Sequence, residues 1–439
     1  MPRLIAEPNP FPYANGLAFT VDGVPSPVLR FRQGDTLDFE LVNHLDEPTT
    51  VHWHGLKVDW IHDGHPLFSV APQESRSIQF QILNRGATYW YHPHAHQRTA
   101  FQAYHGMGGA LIVDDEDQDR LKDRFSLVPG VTDLVQDRVI DGNLLVYNEG
   151  HPLHGFLGDQ VMVNGTIKAT KKVSATWHRL RLINASNARI YRIALFSEGQ
   201  MVPFQLIGVD GGLLEQGAEV NEVWLSPAER VELMVDFGHP LMGSRASLQS
   251  QDFTELIGPM GGPTIQGHPI HIMDFLVLRK RPVVRPAPNF DGLSVVATPD
   301  FTDAPFRNIG LAGQMHFTIN GAVFDMNEAP ITVTRNSKEI WSITNNTTIP
   351  HPMHLHAVPM HVLERRGSPQ LIRSQAVDMR GRLPTDLGYQ DTVLVWPFEQ
   401  VRVGVAWEIP FNTEQSYLFH FHNLEHEDRG MMVNVRVTP

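Results

Sequence analysis

The sequence predicts an all-β protein made of three consecutive β-sandwich or barrel domains. Three observations support this: short runs that alternate between apolar and polar residues, a high content of turn residues, and a weak internal repeat. Glycine and proline account for 35 and 32 of the 439 residues, and helical periodicity is hard to find over ten residues or more. Many short strands separated by turns are typical of stacked sandwiches and barrels.

The clearest alternating run is SPVLRFRQGDTLDFELVNHL at residues 26–45. Apolar and polar residues alternate on both sides of Gly34 and Asp35, which predicts a β-hairpin with a tight turn at this dipeptide. Runs of the same style recur in the middle of the chain and near its end, so the whole chain is expected to be rich in strands.

The internal repeat consists of a hydrophobic-X-Gly start, a turn, and a strand that ends in Asn. The three copies are VDGVPSPVLRFRQGDTLDFELVN, VNGTIKATKKVSATWHRLRLIN and INGAVFDMNEAPITVTRNSKEIWSITN, which begin near residues 21, 163 and 319. Their spacing of roughly 140–155 residues predicts three homologous domains.

We predict domains over residues 1–115, 116–283 and 306–439, with a linker over residues 284–305. The first boundary lies at the acidic turn DDEDQD, and the second lies in the proline-rich RPVVRPAPNFDG, residues 281–292. Two larger β domains are the alternative.

The composition excludes several classes of function. The net charge is −13 with no basic run, so a nucleic acid is not expected as a partner. No apolar stretch approaches the length that spans a bilayer, so no membrane span is expected. The chain has no cysteine, which excludes disulfides, thiolate zinc sites, iron–sulfur clusters and cysteine nucleophiles.

Histidine is the residue type that indicates a function. A random chain with 23 histidines in 439 residues would hold roughly one H-x-H pattern, whereas this chain has five. Four pairs matter: His52/His54, His92/His94, His354/His356 and His420/His422. Residues two apart on a strand point to the same face, so each pair offers two adjacent imidazoles.

All eight imidazoles can converge only if the first and third domains pack together. Imidazole suits copper, zinc, iron or nickel, and no carboxylate accompanies each pair as a facial triad requires. The sequence therefore predicts a histidine metal site, and solvated or structural histidines are the alternative.

The sequence resembles the three-domain multicopper oxidases, above all the copper-efflux oxidase and bilirubin oxidase branch, with laccases as relatives. The likeness covers nearly the whole chain and includes HWHGL, WYHPHAH, FDMN, HPMHLH, HFHNLEHEDRGMM, and, in the middle domain, FQLIGVDGGLLEQ and PAERVELMVDF. The resemblance implies cupredoxin-like Greek-key domains. It also implies a trinuclear copper cluster, held by eight histidines between the first and third domains.

The resemblance assigns each histidine by position. His52 and His354 match the ligands of the type 2 copper. The ligands of the type 3 pair match His54, His92, His94, His356, His420 and His422. His96 forms the fifth pattern with His94 and is left out, because the family's frame favours His92 and His94.

Two acidic residues match positions that relay protons during dioxygen reduction in the family. They are Asp63, in the HDG that follows HWHG, and Glu427, beside His426. Reduction of dioxygen to water consumes four protons, and buried carboxylates can deliver them. The alternative is that Asp63 is a turn residue and Glu427 a surface residue.

The family's mononuclear type 1 copper requires two histidines, a cysteine and a weak axial methionine. The matching positions are His351, His426 and Met431, but Phe421 occupies the cysteine position. Phenylalanine has no lone pair and fills the pocket with an apolar ring. We therefore expect about three copper ions per chain, a type 1 copper that is absent or weak, and impaired electron entry.

Three functional hypotheses follow. The chain is a multicopper oxidase with an altered cysteine position; or it is a non-catalytic, copper-binding or structural relative, like the cell-division member of the superfamily; or its cluster works without a type 1 site. Retention of all eight cluster positions weighs against the second hypothesis. The first and third describe a copper-dependent, laccase-like oxidase of low or altered activity.

The expected partners are dioxygen and a small reductant, phenolic or otherwise organic, with cuprous ion as the alternative. The 15 methionines are scattered, and only GPMGGPTIQGHPIHIM, residues 258–273, approaches a methionine-rich segment, which favours organic reductants. The resemblance implies a periplasmic or extracellular protein. The first residues, MPRLIAEPNP, lack the features of a secretory leader, so a removed leader and a cytosolic location both stay open. The sequence predicts no oligomeric state.

Overall fold

Three pairs of facing β-sheets dominate the part of the chain that the structure describes. The structure is a computed structural model, and it describes residues 1–125, 131–238, 241, 243–257, 265–278, 288–313 and 316–439. We call the pairs the first sandwich (residues 3–114), the middle sandwich (131–278) and the last sandwich (306–438). The prediction of an all-β fold is confirmed.

The first sandwich contains β1 (Arg3–Pro8), β2 (Leu17–Val21), β3 (Val24–Pro25), β4 (Leu29–Arg32), β5 (Thr36–Asn43), β6 (Val51–His54), β7 (Ser75–Gln81), β8 (Ala87–Pro93), α1 (Thr99–Tyr104) and β9 (Gly109–Asp114), with a 3-10 helix at Pro66–Phe68. Its sheets have the strand orders β3-β2-β1-β5-β7 and β4-β9-β8-β6. Leu37, Trp53 and Leu111 lie in the core between them.

The middle sandwich follows α2 (Glu116–Phe125) and contains β10 (Val131–Arg138), β11 (Ile140–Asp141), β12 (Leu144–Leu145), β13 (Gln160–Val163), β14 (Thr166–Ile167), β15 (Thr170–Ser174), β16 (Trp177–Asn184), β17 (Tyr191–Ser197), β18 (Gln200–Val202), β19 (Phe204–Val209), β20 (Gly212–Val220), β21 (Glu222–Leu225), β22 (Arg230–Asp236), β23 (Arg245–Ser250) and β24 (Ile270–Leu278), with a 3-10 helix at Thr254–Leu256. One sheet has the order β14-β13-β10-β16-β22-β19-β20. The other has the order β15-β24-β23-β17-β18, with β21 paired to β17.

The last sandwich contains β25 (Phe306–Ala312), β26 (Thr318–Ile319), β27 (Ile331–Thr334), β28 (Lys338–Asn345), β29 (His351–Leu355), β30 (Met360–Arg366), α3 (Gln370–Arg373), β31 (Thr392–Val395), β32 (Gln400–Ala406), β33 (Gln415–Phe421), α4 (Leu424–Asp428) and β34 (Met432–Thr438), with a 3-10 helix at Pro384–Leu387. Its sheets have the orders β26-β25-β28-β32-β30 and β27-β34-β33-β29-β31.

The predicted hairpin at Gly34 and Asp35 is wrong. β4 and β5 belong to opposite sheets of the first sandwich, so the turn carries the chain across the core. Gly34 has a φ of +95°, and the Asp35 carboxylate accepts a hydrogen bond from the Arg32 amide at 2.7 Å. Alternation shows only that each strand buries one face, and it is the same whether neighbouring strands pair or face each other.

The internal repeat corresponds to this crossing. β15 and β16 also lie in opposite sheets, as do β27 and β28. The second strand ends each time in a fully buried asparagine, Asn43, Asn184 or Asn345. Each of these side chains donates to at least two backbone carbonyls and accepts from the amide two residues later. The Asn at the end of the motif therefore anchors the loop after the crossing.

The acidic run DDEDQD does not form the predicted turn, because its last four residues begin α2. The Asp115 carboxylate accepts a hydrogen bond from the Gln118 amide at 2.9 Å, and acidic residues in a first turn stabilise the positive end of a helix. Leu121 and Phe125 are buried on one face. The predicted boundary at residues 283 and 284 lies outside the described residues.

The three sandwiches pack against one another. Trp90 of the first contacts Ala228 of the middle, Ala100 of the first contacts Leu424 of the last, and the rings of Trp224 and Trp396 join the middle and last sandwiches. Within the described ranges, no helix is long and apolar enough to cross a membrane.

Candidate metal centre

Four strands of the first and last sandwiches carry the paired histidines. β6 and β8 place His52 opposite His92, and β29 and β33 place His354 opposite His420. The two rings of each H-x-H pair lie 4.8–6.0 Å apart between centroids, as side chains on one strand face should. All eight histidines are brought together where the two sandwiches meet, and none is more than 1% exposed. We call this cluster the eight-histidine site.

Five of the rings form two groups. The Nε2 atoms of His52 and His354 lie 3.3 Å apart. His420 Nε2 lies 3.1 Å from His356 Nε2 and 3.4 Å from His94 Nε2. The division between a type 2 ion and a type 3 ion stays a prediction, since the nitrogens of His52, His354 and His356 also lie within 4.8 Å of one another.

The remaining three rings form the third group. His54 Nδ1 lies 3.3 Å from His92 Nε2, and the His422 ring lies 5.1 and 5.2 Å from the His54 and His92 rings. Neither nitrogen of His422 has a hydrogen-bond partner among the described residues. The division is not sharp, because the nitrogens of His52, His54 and His92 also lie within 4.8 Å of one another.

The outer nitrogens of these rings lie beside oxygen acceptors. The contacts are His52 Nδ1 to the Asp63 carbonyl at 2.7 Å, His354 Nδ1 to the Asp391 carbonyl at 2.8 Å, His356 Nδ1 to Asp63 Oδ2 at 2.7 Å, His92 Nδ1 to the Pro93 carbonyl at 2.9 Å, His54 Nε2 to Asp391 Oδ1 at 3.0 Å, and His420 Nδ1 to the Phe421 carbonyl at 3.2 Å. A neutral imidazole has one N–H, and these acceptors assign it to the outer nitrogen.

The inner nitrogens are consequently bare lone pairs that face one another. Two acceptors at 3.1–3.3 Å repel unless a cation lies between them. Imidazole nitrogens bind an ion such as Zn²⁺ at about 2.0–2.1 Å, so two ligands of one ion lie roughly 3–4 Å apart. The donor set and its spacing therefore fit bound metal ions.

Three buried carboxylates each approach two rings. Asp63 Oδ1 lies 3.3 Å from His52 Nδ1, in addition to the Oδ2 contact with His356. Glu427 lies 3.5 Å from His94 Nδ1 and 3.2 Å from His420 Nδ1. Asp63 and Glu427 are only 1% and 2% exposed. Glu427 is therefore not a surface residue, and Asp63 lies in a turn, as the alternative expected, but is buried against two histidines.

Asp391 is the third carboxylate, and sequence reasoning missed it. Its Oδ1 lies 3.0 Å from His54 Nε2 and 3.7 Å from His354 Nδ1. It immediately precedes β31 in GYQDTVLV, a setting with no recognised spacing to any histidine. The pairing of β31 with β29 places it beside His354, and the packing of the last sandwich against the first places it beside His54.

Burial favours the neutral form of six of the eight rings, and the neutral form is the one that binds metal. It lowers the pKa of His94 to about 3 and holds the pKa values of His54, His92, His354, His356 and His422 well below their usual range. Burial also raises the pKa of Asp63. In Glu427 burial acts in the same direction, but His94 and His420 outweigh it and lower the pKa to about 2.

The predicted type 1 position lies in the core of the last sandwich. His351 Nε2 donates to Thr347 Oγ1 at 2.6 Å, because the Thr347 hydroxyl itself donates to Asn345. His426 Nε2 donates to the Pro152 carbonyl at 2.9 Å. The Nδ1 atoms of both histidines are buried and have no partner in the described chain, so two imidazole lone pairs remain available.

Phe421 fills the space between these histidines. Its ring centroid lies 4.3 Å from that of His351 and 5.0 Å from that of His426, and its amide donates to the carbonyl of the buried Met431. The cavity that touches Phe421 measures only about 10 Å³. The structure thus brings His351, His426 and Met431 together around the apolar ring of Phe421. We call these four residues the Phe421 pocket.

Two further expectations concern residues outside these centres. His96 is exposed and its ring lies 5.6 Å from that of Phe324, so its exclusion agrees with the structure. Residues 258–264 of the segment nearest to a methionine-rich insert lie outside the described residues, and its bearing on substrate stays a prediction.

Comparison with known proteins gives consistent matches. Residues 13–118 and 296–439 match profiles described as multicopper oxidase. The chain is similar to multicopper oxidase mco of Staphylococcus haemolyticus, with 32% identity over 420 residues, covering 94% of this chain and 82% of that protein. It is also similar to the cell division protein FtsP of Xenorhabdus nematophila, with 29% identity over 416 residues, covering 94% and 83%.

Among solved structures, the McoA multicopper oxidase from the hyperthermophile Aquifex aeolicus matches with a TM-score of 0.90 at 34% identity. The match covers 100% of this chain and 96% of that chain. This likeness over the whole chain confirms the cupredoxin-like fold that the motifs implied.

Proposed function

The chain belongs to the multicopper oxidase family, and we propose that it reduces dioxygen to water at a trinuclear copper cluster held by its eight-histidine site. The electrons come from one-electron oxidation of phenolic or other small reductants, or of cuprous ion. The observation that carries the proposal is the set of buried imidazoles whose bare nitrogens face one another at 3.1–3.3 Å.

The proposed ligands follow the three groups. His52 and His354 hold the type 2 ion, and the other six rings hold the type 3 pair, with about three ions per chain. Copper, when bound, supplies one-electron redox chemistry, and four electrons and four protons convert one dioxygen to two waters.

The Asp63 and Asp391 carboxylates orient the rings of His356 and His54. A carboxylate that accepts the outer N–H of a ring fixes its tautomer and aims the inner lone pair at the ion. Asp63 Oδ1 and both Glu427 carboxylate oxygens are buried without a hydrogen-bond partner among the described residues. We propose these atoms as acceptors through which protons pass on their way to reduced oxygen.

Electron entry is the weak step of the proposed reaction. Phe421 offers no ligand, so the Phe421 pocket does not form a blue copper centre, and electrons must reach the eight-histidine site directly from the reductant. We therefore expect dioxygen uptake that is slow compared with a relative that has the cysteine.

A non-catalytic role is the second candidate, and Phe421 is the observation that favours it. The similarity to a protein named for cell division points the same way. Such a protein could keep the fold and bind copper without turnover.

The test is copper reconstitution followed by metal quantification and dioxygen uptake with a phenolic reductant. We expect about three ions in the parent and in His361→Ala, and loss of type 3 copper and of dioxygen uptake in His356→Ala. His361 is a matched control because it is also buried in the last sandwich, with its ring 5.0 Å from that of Tyr389. A parent that binds copper but consumes no dioxygen would favour the non-catalytic role.

We also propose that the protein works in the periplasm or outside the cell. A chain without cysteine suits an oxidising compartment where copper is handled. Fractionation of the native host tests this, and recovery in the cytosol alone would contradict it.

A further inference from the structure

Arg230, the first residue of β22, makes an unusually complete set of contacts. Its side chain is fully buried, and all five of its N–H donors are used. Nε donates to the Thr88 carbonyl at 3.0 Å, Nη1 to the Ala228 carbonyl at 3.1 Å and to Asp391 Oδ1 at 2.7 Å, and Nη2 to the Asp210 carbonyl at 3.0 Å and to Asp391 Oδ2 at 2.6 Å. A guanidinium has five donors in one fixed plane, so none remains unpaired.

These contacts join all three sandwiches. Thr88 belongs to the first sandwich, Asp210 and Ala228 to the middle one, and Asp391 to the last. The two parallel bonds to the Asp391 carboxylate form the bidentate arrangement, which fixes orientation as well as distance. Arg230 therefore determines where both oxygens of Asp391 lie.

Asp391 in turn assigns the proton of His54. Its Oδ1 accepts from Arg230 Nη1 and lies 3.0 Å from His54 Nε2, so the His54 proton is on Nε2. Among the six described rings whose outer nitrogen donates to an acceptor, His54 alone turns Nδ1 toward its neighbours. Oδ1 is the nearer acceptor of this nitrogen, since Thr392 Oγ1 lies 3.4 Å from it.

The backbone around Asp391 is held from the same side. The carboxylate of Asp210 accepts from the Arg230 amide at 2.8 Å and from the amides of Asp391 and Thr392 at 3.2 and 3.3 Å. The Asp391 carbonyl that receives His354 Nδ1 is thereby positioned as well. The close approach requires Gly55, since a Cβ there would clash with Asp391 Oδ2 and lie 2.9 Å from Arg230 Nη2.

We propose that Arg230 is a positioning residue that selects the Nδ1-bare tautomer of His54 and so presents a type 3 ligand nitrogen to the metal. The middle sandwich, which supplies none of the eight histidines, thus controls half of the type 3 pair through one side chain. The inference rests on the proposed function only in assigning copper to His54 Nδ1. The tautomer itself is a property of the copper-free protein.

The test uses ¹⁵N-histidine spectra of the full copper-free chain, with His54→Gln to identify the His54 signals. In the parent we expect a protonated Nε2 and a bare Nδ1. In Arg230→Lys we expect both tautomers, because the compact ammonium cannot form the two parallel bonds. On reconstitution, affinity for one type 3 ion should fall by about 10–100-fold, the usual effect of removing a support of a metal ligand.

Arg365→Lys is the matched control. Arg365 is buried and also makes two bonds to one carboxylate, that of Asp386, at 2.6 and 2.9 Å. It makes no hydrogen bond to any of the eight histidines in the described chain, so the His54 tautomer and copper affinity should not change. Its melting temperature should fall about as much as that of Arg230→Lys.

If Arg230→Lys does not fold, Asp391→Asn is the substitute variant. In either orientation of the asparagine amide, its NH2 group faces an N–H of Arg230, so the two parallel bonds cannot form. The parent tautomer retained in the folded variant would overturn the inference, and so would an equal change in Arg365→Lys. A parent that binds no copper would overturn the proposed function but leave the tautomer result standing.

Discussion

The eight-histidine site and the Phe421 pocket contain the same kind of ligand in different surroundings. In the first, bare nitrogens face other bare nitrogens, and the carboxylates of Asp63 and Asp391 and several carbonyls accept the outer N–H groups. In the second, Thr347 and Pro152 take the outer N–H groups of His351 and His426, but the space between the rings holds Phe421. In both places acceptors for the outer N–H groups of the rings are present, but only in the eight-histidine site do the inner nitrogens face one another.

The difference indicates that the groups that orient the imidazoles are arranged independently of the residue at position 421. The rings of the Phe421 pocket are oriented by the core of the last sandwich and by a carbonyl of the middle one. The rings of the eight-histidine site are oriented by residues from all three sandwiches. The Phe421 ring therefore fills the space between His351 and His426 while the eight-histidine site stays assembled, although residue 421 lies between His420 and His422 in the sequence.

Phe421→Cys is expected to produce the largest effect. It completes a donor set of two imidazoles, a thiolate and a thioether beside an intact cluster, and the parent is expected to be colourless because no thiolate is present. We expect a strong blue band and dioxygen uptake with a phenol that rises at least tenfold, about 1.4 kcal/mol in the barrier. Optical and paramagnetic spectra of the copper-loaded proteins are the measurement. A copper-loaded variant that stays colourless and inert would show that the remaining ligands are misplaced.

Phe421→Ala sharpens the comparison by removing the ring without adding a ligand. Truncation of a buried phenylalanine costs about 3–5 kcal/mol of unfolding free energy, and Phe419→Ala in the same core should cost about the same. Neither change should alter copper loading of the eight-histidine site. Denaturant unfolding and metal quantification measure the two quantities. Copper lost only from Phe421→Ala would mean that the two centres are coupled.

Removal of copper from the parent should lower its stability. An ion present at about 100 times its Kd stabilises the native state by about 2.7 kcal/mol, so chelation should lower the melting temperature and reconstitution should restore it. In Phe421→Ala the same chelation should give the same shift, because the Phe421 pocket binds no copper in either protein. A larger shift in the variant would show that the pocket takes up an ion once the ring is gone.

His354→Ala should have the smallest effect on the fold. It removes one of two ligands of the type 2 ion, so we expect about two ions per chain instead of about three. The copper-free variant and the copper-free parent should melt at similar temperatures, since the ring lies between sandwiches and outside their cores. A large difference in melting temperature without metal would make His354 a structural residue.

The sequence could predict what depends on strand periodicity and could not predict what depends on strand partners. The H-x-H pairs follow from a period of two, so His52 and His54 were expected side by side. The hairpin at Gly34 and Asp35 failed because alternation does not reveal which sheet a strand joins. The start of α2 was missed because an acidic run suits a helix N-terminus as well as a turn.

The supports of the site were the least predictable. The motif PAERVELMVDF, which contains Arg230, carries part of the family resemblance. Nothing in this motif predicts that Arg230 bonds to Asp391, 161 residues away. Asp63 and Glu427 were found because they lie close to histidines in the sequence. Asp391 was not found because only the packing of the sandwiches brings it to His54.

The separation of His54 and Asp391 has a consequence for the time course of synthesis. Domains generally fold in order from the N-terminus as a chain is made, and His54 emerges 337 residues before the carboxylate that fixes its proton. A nascent first sandwich can therefore form its own core while the His54 ring still lacks the Asp391 acceptor and the four rings of the last sandwich are absent. Metal captured at that stage would meet half a site, and the final geometry becomes available only when the last strands leave the ribosome.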